Sequence, residues 1–191
     1  MNNKWKDSKS IFSIPFFIEK IDLTQIVFDN DSDYNKTFRS GLLTTYNSGH
    51  LRFLTKESYE YLINFIFECI GQYDPTLDIC ITRIWRNKYK KTDWQDPHIH
   101  PHQQWSFIIY ESVVESKTVF LHPYRHLISN QWRVYKNNPC DDFYPKLSSS
   151  NIIIFPSWVE HYVNSGNEGI TIAGNIGIRD KDPNNQPPPF G

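Results

Sequence analysis

Asp96-Pro97-His98-Ile99-His100-Pro101-His102 is the stretch from which the rest of the chain can be read. Histidines at i and i+2 on an extended strand point to the same face, because side chains alternate with a period of two. His98 and His100 can then converge on one ion. His161, far downstream, follows an apolar run, Asn151-Ile152-Ile153-Ile154-Phe155-Pro156-Ser157-Trp158. An H-x-H pair and one distant His can close a facial set of three ligands on a metal with open positions. The same spacing also fits a surface cluster beside a proline turn together with a core histidine, since H-x-H is a weak motif.

Around this stretch the apolar pattern has period two. After Pro75 it marks strands over Asp78 to Trp85, Trp105 to Glu111, Lys117 to His122, Trp132 to Tyr135, Asn151 to Phe155 and Ile170 to Ile178. Short strands separated by Pro, Asn and Gly predict an antiparallel sandwich or barrel. Upstream, the spacing of Tyr59, Leu62, Ile63, Ile66 and Ile70 gives one apolar face and predicts a helix over Lys56 to Ile70. Thr55 suits its N-cap, Glu57 its first turn and Gly71 its C-cap. Residues 11–18 read as a strand edged by Pro15. Asp29 to Asn35 and Tyr46 to Gly49 read as turns. The Pro- and Asn-rich residues 180–191 read as a tail.

The 191 residues predict a single domain, 1–191, with its motif-bearing core at about 78–179. Hydrophobic residues are 39% of the chain, enough for a sizeable core. A net charge of -1 gives no nucleic-acid footprint. No apolar run approaches the ~20 residues of a membrane span, and the N-terminus lacks the apolar centre of a signal peptide. Cys69, Cys80 and Cys140 are odd in number and widely spaced, which reads as reduced thiols in a cytoplasmic protein.

Several ordered pieces resemble a family of 2-oxoglutarate/Fe(II) oxygenases common in marine bacteria and their phages. They are Trp85-Arg86-Asn87; Asp93-Trp94-Gln95-Asp96-Pro97-His98-Ile99-His100-Pro101; Ser106 and Tyr110; Phe155-Pro156-Ser157-Trp158-Val159-Glu160-His161; and Ile170-Thr171-Ile172-Ala173-Gly174-Asn175-Ile176. The resemblance implies a double-stranded β-helix (jelly-roll) with a flanking helix. It implies His98, His100 and His161 as ligands of Fe(II), with 2-oxoglutarate and O₂ as co-substrates and hydroxylation of a small molecule or peptide. Asp96, two residues before His98, is the fallback carboxylate ligand or an acceptor orienting an imidazole. Tyr110, by strand parity, and Asn175 and Thr171, on the face of the closing strand, are candidates to face the cavity and hold the co-substrate. His102 forms a competing i, i+2 pair with His100, and Trp94, Trp105 and Trp158 read as packing.

One position departs from the family. Its Arg, which pairs with the far carboxylate of 2-oxoglutarate just before the closing strand, is replaced here by Gly169. Arg83, Lys117, Arg133 and Arg179 are the candidate substitutes, and Gly169→Arg is expected to restore the anchor. The departure keeps two alternatives open. One is a three-His iron dioxygenase that does not use 2-oxoglutarate. The other is a non-catalytic jelly-roll that binds a metal.

Overall fold

The computed structural model describes residues 13–28, 34–36, 40–46, 54–72, 75–126 and 142–179. The expected strand at residues 132–135, with Arg133, and also Cys140, His50 and the tail lie outside them. In chain order the elements are β1 (Phe17–Lys20), β2 (Asn35–Lys36), β3 (Leu43–Thr44), α1 (Lys56–Ile70), β4 (Asp78–Tyr89) and β5 (Gln95–His98). They continue with β6 (Trp105–Tyr110), β7 (Thr118–Phe120), β8 (Asn151–Pro156), β9 (His161–Val163) and β10 (Gly169–Arg179). A large sheet has the order β1-β8-β6-β10-β4-β3-β2, and a small one the order β5-β9-β7. From β4 to β10 the chain changes sheet at every step. Over this run β4, β6, β8 and β10 lie in the large sheet and β5, β7 and β9 in the small sheet. This is the double-stranded β-helix expected.

The two faces of the large sheet explain its composition. Phe107 and Ile109 of β6, Ile152 and Ile154 of β8, and Ile172 and Ile176 of β10 share one buried cluster with Leu62, Ile66 and Ile70 of α1. Ile108 and Tyr110, Ile153 and Phe155, and Ala173 alternate with them and form a second cluster with Phe120 of the small sheet. Strands buried on both faces read as near-continuous apolar runs, which is why Ile152-Ile153-Ile154-Phe155 shows no alternation. The helix has the limits its periodicity predicts, and the Thr55 side chain accepts from the Ser58 N–H. Leu62, Ile66 and Ile70 are fully buried, and such side chains contribute about 1.5–3 kcal/mol each. Gly71 ends the helix in right-handed geometry (φ -61°), not in the left-handed turn that commonly selects glycine.

A bulge sets what faces the interior. Asn175 of β10 pairs with Arg83 of β4, while Ile176 pairs with Ile81, so Thr82 has no partner in the ladder. The extra residue reverses parity. Ile79, Ile81 and Ile84 thereby all join the cluster under the helix, and Arg83, Trp85, Asn87 and Tyr89 alternate on the other face. Of the small-sheet strands, β9 is absent from the sequence reading, and β5 enters it only as the extended stretch that carries the H-x-H pair. With four and three residues, they are too short to show a period.

Gly169 begins β10 with φ +131°. A Cβ there would overlap the Ser112 carbonyl oxygen and lie 3.0 Å from Val113 Cα. The position has no room for the arginine that the family resemblance implies there, so the expectation that Gly169→Arg restores an anchor is corrected. Even Gly169→Ala is expected to lose about 1–3 kcal/mol from backbone strain alone, with Gly169→Arg worse. Denaturant midpoints equal to wild type in both variants would contradict this.

Candidate metal centre

His98 ends β5 and lies directly opposite His161, the first residue of β9. Their ring centroids are 4.3 Å apart. His100 lies just beyond β5, where its N–H donates to the Ser157 carbonyl at 3.0 Å. That bond ties the Pro156-Ser157-Trp158 turn to the H-x-H stretch. His100 lies 5.4 Å from His98 and 5.1 Å from His161 between ring centroids. The three residues can bring one ring nitrogen each to within 4.8 Å of one another, a spacing one transition-metal ion can span.

The other ring nitrogen of each histidine is occupied by an oxygen. His98 Nδ1 lies 2.7 Å from the Asp96 carbonyl, and His161 Nδ1 lies 3.0 Å from the Val159 carbonyl. His100 Nδ1 lies 2.5 Å from Asn175 Oδ1. These oxygens are acceptors only, so each Nδ1 carries the proton and each Nε2 presents a lone pair. Ser106 Oγ donates to the same Asn175 Oδ1 at 3.2 Å and bonds Ser157 Oγ at 2.7 Å. The partner of His100 is therefore itself held in place, the outer support that metal-binding histidines commonly have.

Electrostatics favour the neutral rings. Burial holds His98 below the ordinary range and pushes His100 down to about 4, although the Asn175 bond works the other way. His161, buried at 2% exposure, lies well below it through burial and through its two neighbouring rings. Phe155 and Phe120 cover its far side, at 4.9 and 5.6 Å between centroids.

Two cavities meet at the cluster. An open cleft of about 640 Å³ includes Tyr46, Arg83, Trp85, Ile99 and Gln103 in its walls, with His98 and His100 at its floor. Behind the histidines, between the sheets, is an inner cavity of about 20 Å³, room for about one water. Asn87, Tyr89, Gln95, Thr118, Asn167 and Thr171 supply its polar lining. Asn87 Oδ1 and Asn167 Nδ2 are buried there without a hydrogen-bond partner. Asn167 is fixed, because its Oδ1 accepts from the Lys117 N–H at 3.0 Å.

The remaining expected residues divide. Asn175 and Arg83 line the cleft and Thr171 the inner cavity. Tyr110 does not reach either. Its hydroxyl donates to Thr118 Oγ1 and accepts from Ser116 Oγ, both at 3.0 Å, one layer behind the wall. The tyrosine at the inner cavity is Tyr89, which donates to Gln95 Oε1 at 2.5 Å. Asp96 is corrected as a ligand. The β5 register slips between Gln95 and His98, which breaks the two-residue alternation and leaves Asp96 exposed. Its backbone carbonyl, not its carboxylate, orients His98. His102 is in the cleft wall at φ +65°, outside the cluster. Trp158 is 54% exposed and does not pack as expected. Lys117 pairs with Glu115 at the surface, at 2.6 Å, and Arg179 is exposed at the end of β10.

A family model described as "Putative 2OG-Fe(II) oxygenase" matches residues 83–175, which include all three histidines. No curated protein matches the sequence. Among solved structures, the non-heme alpha ketoglutarate dependent epimerase SnoN from nogalamycin biosynthesis is 8% identical, with a TM-score of 0.53 over 93% of this chain and 86% of that one. An oxidoreductase of the 2OG-Fe(II) oxygenase family from Burkholderia pseudomallei is 13% identical, with a TM-score of 0.49 over 71% of this chain and 68% of that one. A Pseudomonas putida prolyl-4-hydroxylase is 13% identical, with a TM-score of 0.45 over 84% and 77%.

Metal analysis is expected to find one transition-metal ion per wild-type chain and a large loss in His98→Ala, His100→Ala and His161→Ala. Unchanged metal content in His161→Ala would remove it from the ligand set. The metal-free protein should also lose stability with acid. His100 has a folded value of about 4 against an ordinary 6.5, so the unfolded chain takes up the proton first as pH falls. This contribution is complete above about pH 6.5 and is lost as pH falls toward about 4. Denaturation of the metal-free protein across that window should show a smaller decline in His100→Gln than in wild type.

Proposed function

We propose that the chain is a non-haem, Fe(II)- and 2-oxoglutarate-dependent hydroxylase, a reading supported by the match of residues 83–175 to the family model described as "Putative 2OG-Fe(II) oxygenase". The observation that carries this is the Nδ1 partner of each of the three histidines, which leaves Nε2 free to bind, in a cluster whose residues offer one ring nitrogen each within 4.8 Å of one another. Bound there, Fe(II) would supply the O₂ and redox chemistry that protein side chains lack. The chain's own part is to hold the ion and orient its ligands.

Three neutral imidazoles leave the ion's double positive charge uncompensated, whereas a two-His, one-carboxylate set cancels one unit of it. The open cleft adds no acid, since no Asp or Glu is among its described lining residues. An anionic keto acid therefore meets favourable charge on approach. The cleft volume of about 640 Å³ lies within the range of small-molecule sites. Trp85 and Ile99 offer apolar wall, while Thr44, Thr82 and Gln103 offer polar wall. A small molecule or an exposed side chain of a peptide fits this shape and chemistry.

A second reading, a three-His iron dioxygenase independent of 2-oxoglutarate, is favoured by one observation. Among its described residues, the inner cavity has no Lys or Arg to pair with a carboxylate. Oxygen uptake separates the two readings. The Fe(II)-loaded protein is expected to consume O₂ above background only when 2-oxoglutarate is added, and His98→Ala should abolish that uptake. Uptake that continues undiminished without 2-oxoglutarate would overturn the first reading in favour of the second.

A further inference from the structure

A dicarboxylate that reaches the metal through its keto-acid end brings a second carboxylate with it. That group needs a partner, because a charge left unpaired in a dry site is costly. The inner cavity is poorly suited to it. It has room for about one water and no Lys or Arg among its described residues. Gly169 cannot be replaced by a side chain without overlap. Tyr89 has its proton committed to Gln95.

The open cleft differs. Arg83 is the one Lys or Arg among its described lining residues. Its guanidinium carbon lies 3.7 Å from the centroid of the Tyr46 ring, and Nη2 donates to the Tyr46 carbonyl at 3.1 Å. Stacking and one hydrogen bond fix the plane of the fork while other N–H groups remain to meet a carboxylate. Arg83 is also connected to the centre through the sheet. It is the cross-strand partner of Asn175, which accepts from His100. Ring contacts link the same points by another route: Tyr46 meets Trp85 at 5.0 Å, and Trp85 meets His100 at 5.6 Å.

We propose that Arg83, stacked on Tyr46, holds the far carboxylate of the dicarboxylate co-substrate on the cleft side of the metal, in place of a cation inside the barrel. This rests on the oxygenase reading. The co-substrate then occupies part of the same cleft as the substrate, and Arg83 is what selects a dicarboxylate over a monocarboxylate.

The test compares 2-oxoglutarate with 2-oxopentanoate, which has the same chain length and keto-acid end but no far carboxylate. Each is titrated calorimetrically into Mn(II)-loaded protein without primary substrate, and metal content is measured on each sample. Wild type should prefer 2-oxoglutarate by about 10- to 100-fold, the range of one charge-assisted contact. Arg83→Met should cut that preference to within about threefold while still holding one metal. Arg83→Lys should recover part of it, because it keeps the charge but not the fork. A preference that survives in metal-loaded Arg83→Met would overturn the inference and leave the oxygenase reading standing. So would a wild type that binds both keto acids equally, since Arg83 would then serve only another carboxylate, such as the substrate's. Failure of metal-loaded wild type to bind either keto acid would overturn both.

Discussion

A histidine ring can offer a lone pair in a defined direction only if something else takes its proton, and this constraint organises the centre. His98 and His161 give their Nδ1 protons to backbone carbonyls two residues upstream, at Asp96 and Val159. Such acceptors do not depend on side-chain identity; they follow from the path of β5 and of the turn before β9. His100 instead relies on a side chain, Asn175, which is set by the closing strand and braced by Ser106. The inward aim of Asn175 depends in turn on the β10 register, with β6 on one side and the bulged β4 on the other.

The sequence was informative where a period could run long enough. Fifteen residues of α1 carry four turns of apolar spacing, and the helix forms with the limits that spacing predicts. The H-x-H pair and the His after Phe155-Pro156-Ser157-Trp158 converge as read. Alternation failed over short distances. Two residues of β5 bulge outward, so the parity that would have brought the Asp96 carboxylate to the metal does not hold. The turn at Pro101 and His102 likewise breaks the pleat through which Tyr110 was aligned with the histidines, and its phenol is used one layer back.

Other residues were legible in retrospect. Arg83, Trp85, Asn87 and Tyr89 alternate along β4, and extending the strand past Trp85 would have put Asn87 and Tyr89 on the inner wall. Asn167 left no comparable signal. It lies in the turn before β10, and what makes it notable is that one end of its amide is fixed by the Lys117 N–H while the other has no partner. Gly169 shows the opposite limit. Its identity suggested a lost charge, whereas its backbone conformation and the crossing of Ser112 show a position that excludes any side chain.

The weak pairing of β5 has a mechanical consequence. This strand is at the edge of the small sheet, and its ladder with β9 consists of Gln95 opposite Val163 and His98 opposite His161. An ion shared by His98 and His161 would rivet the free edge of that sheet to its middle strand, joining positions 63 residues apart (161 − 98). Closing a loop of that length is entropically costly, and the cross-link would remove much of that freedom from the unfolded chain, much as a disulfide does. Metal loading would then stabilise the floor of the cleft as well as complete the centre.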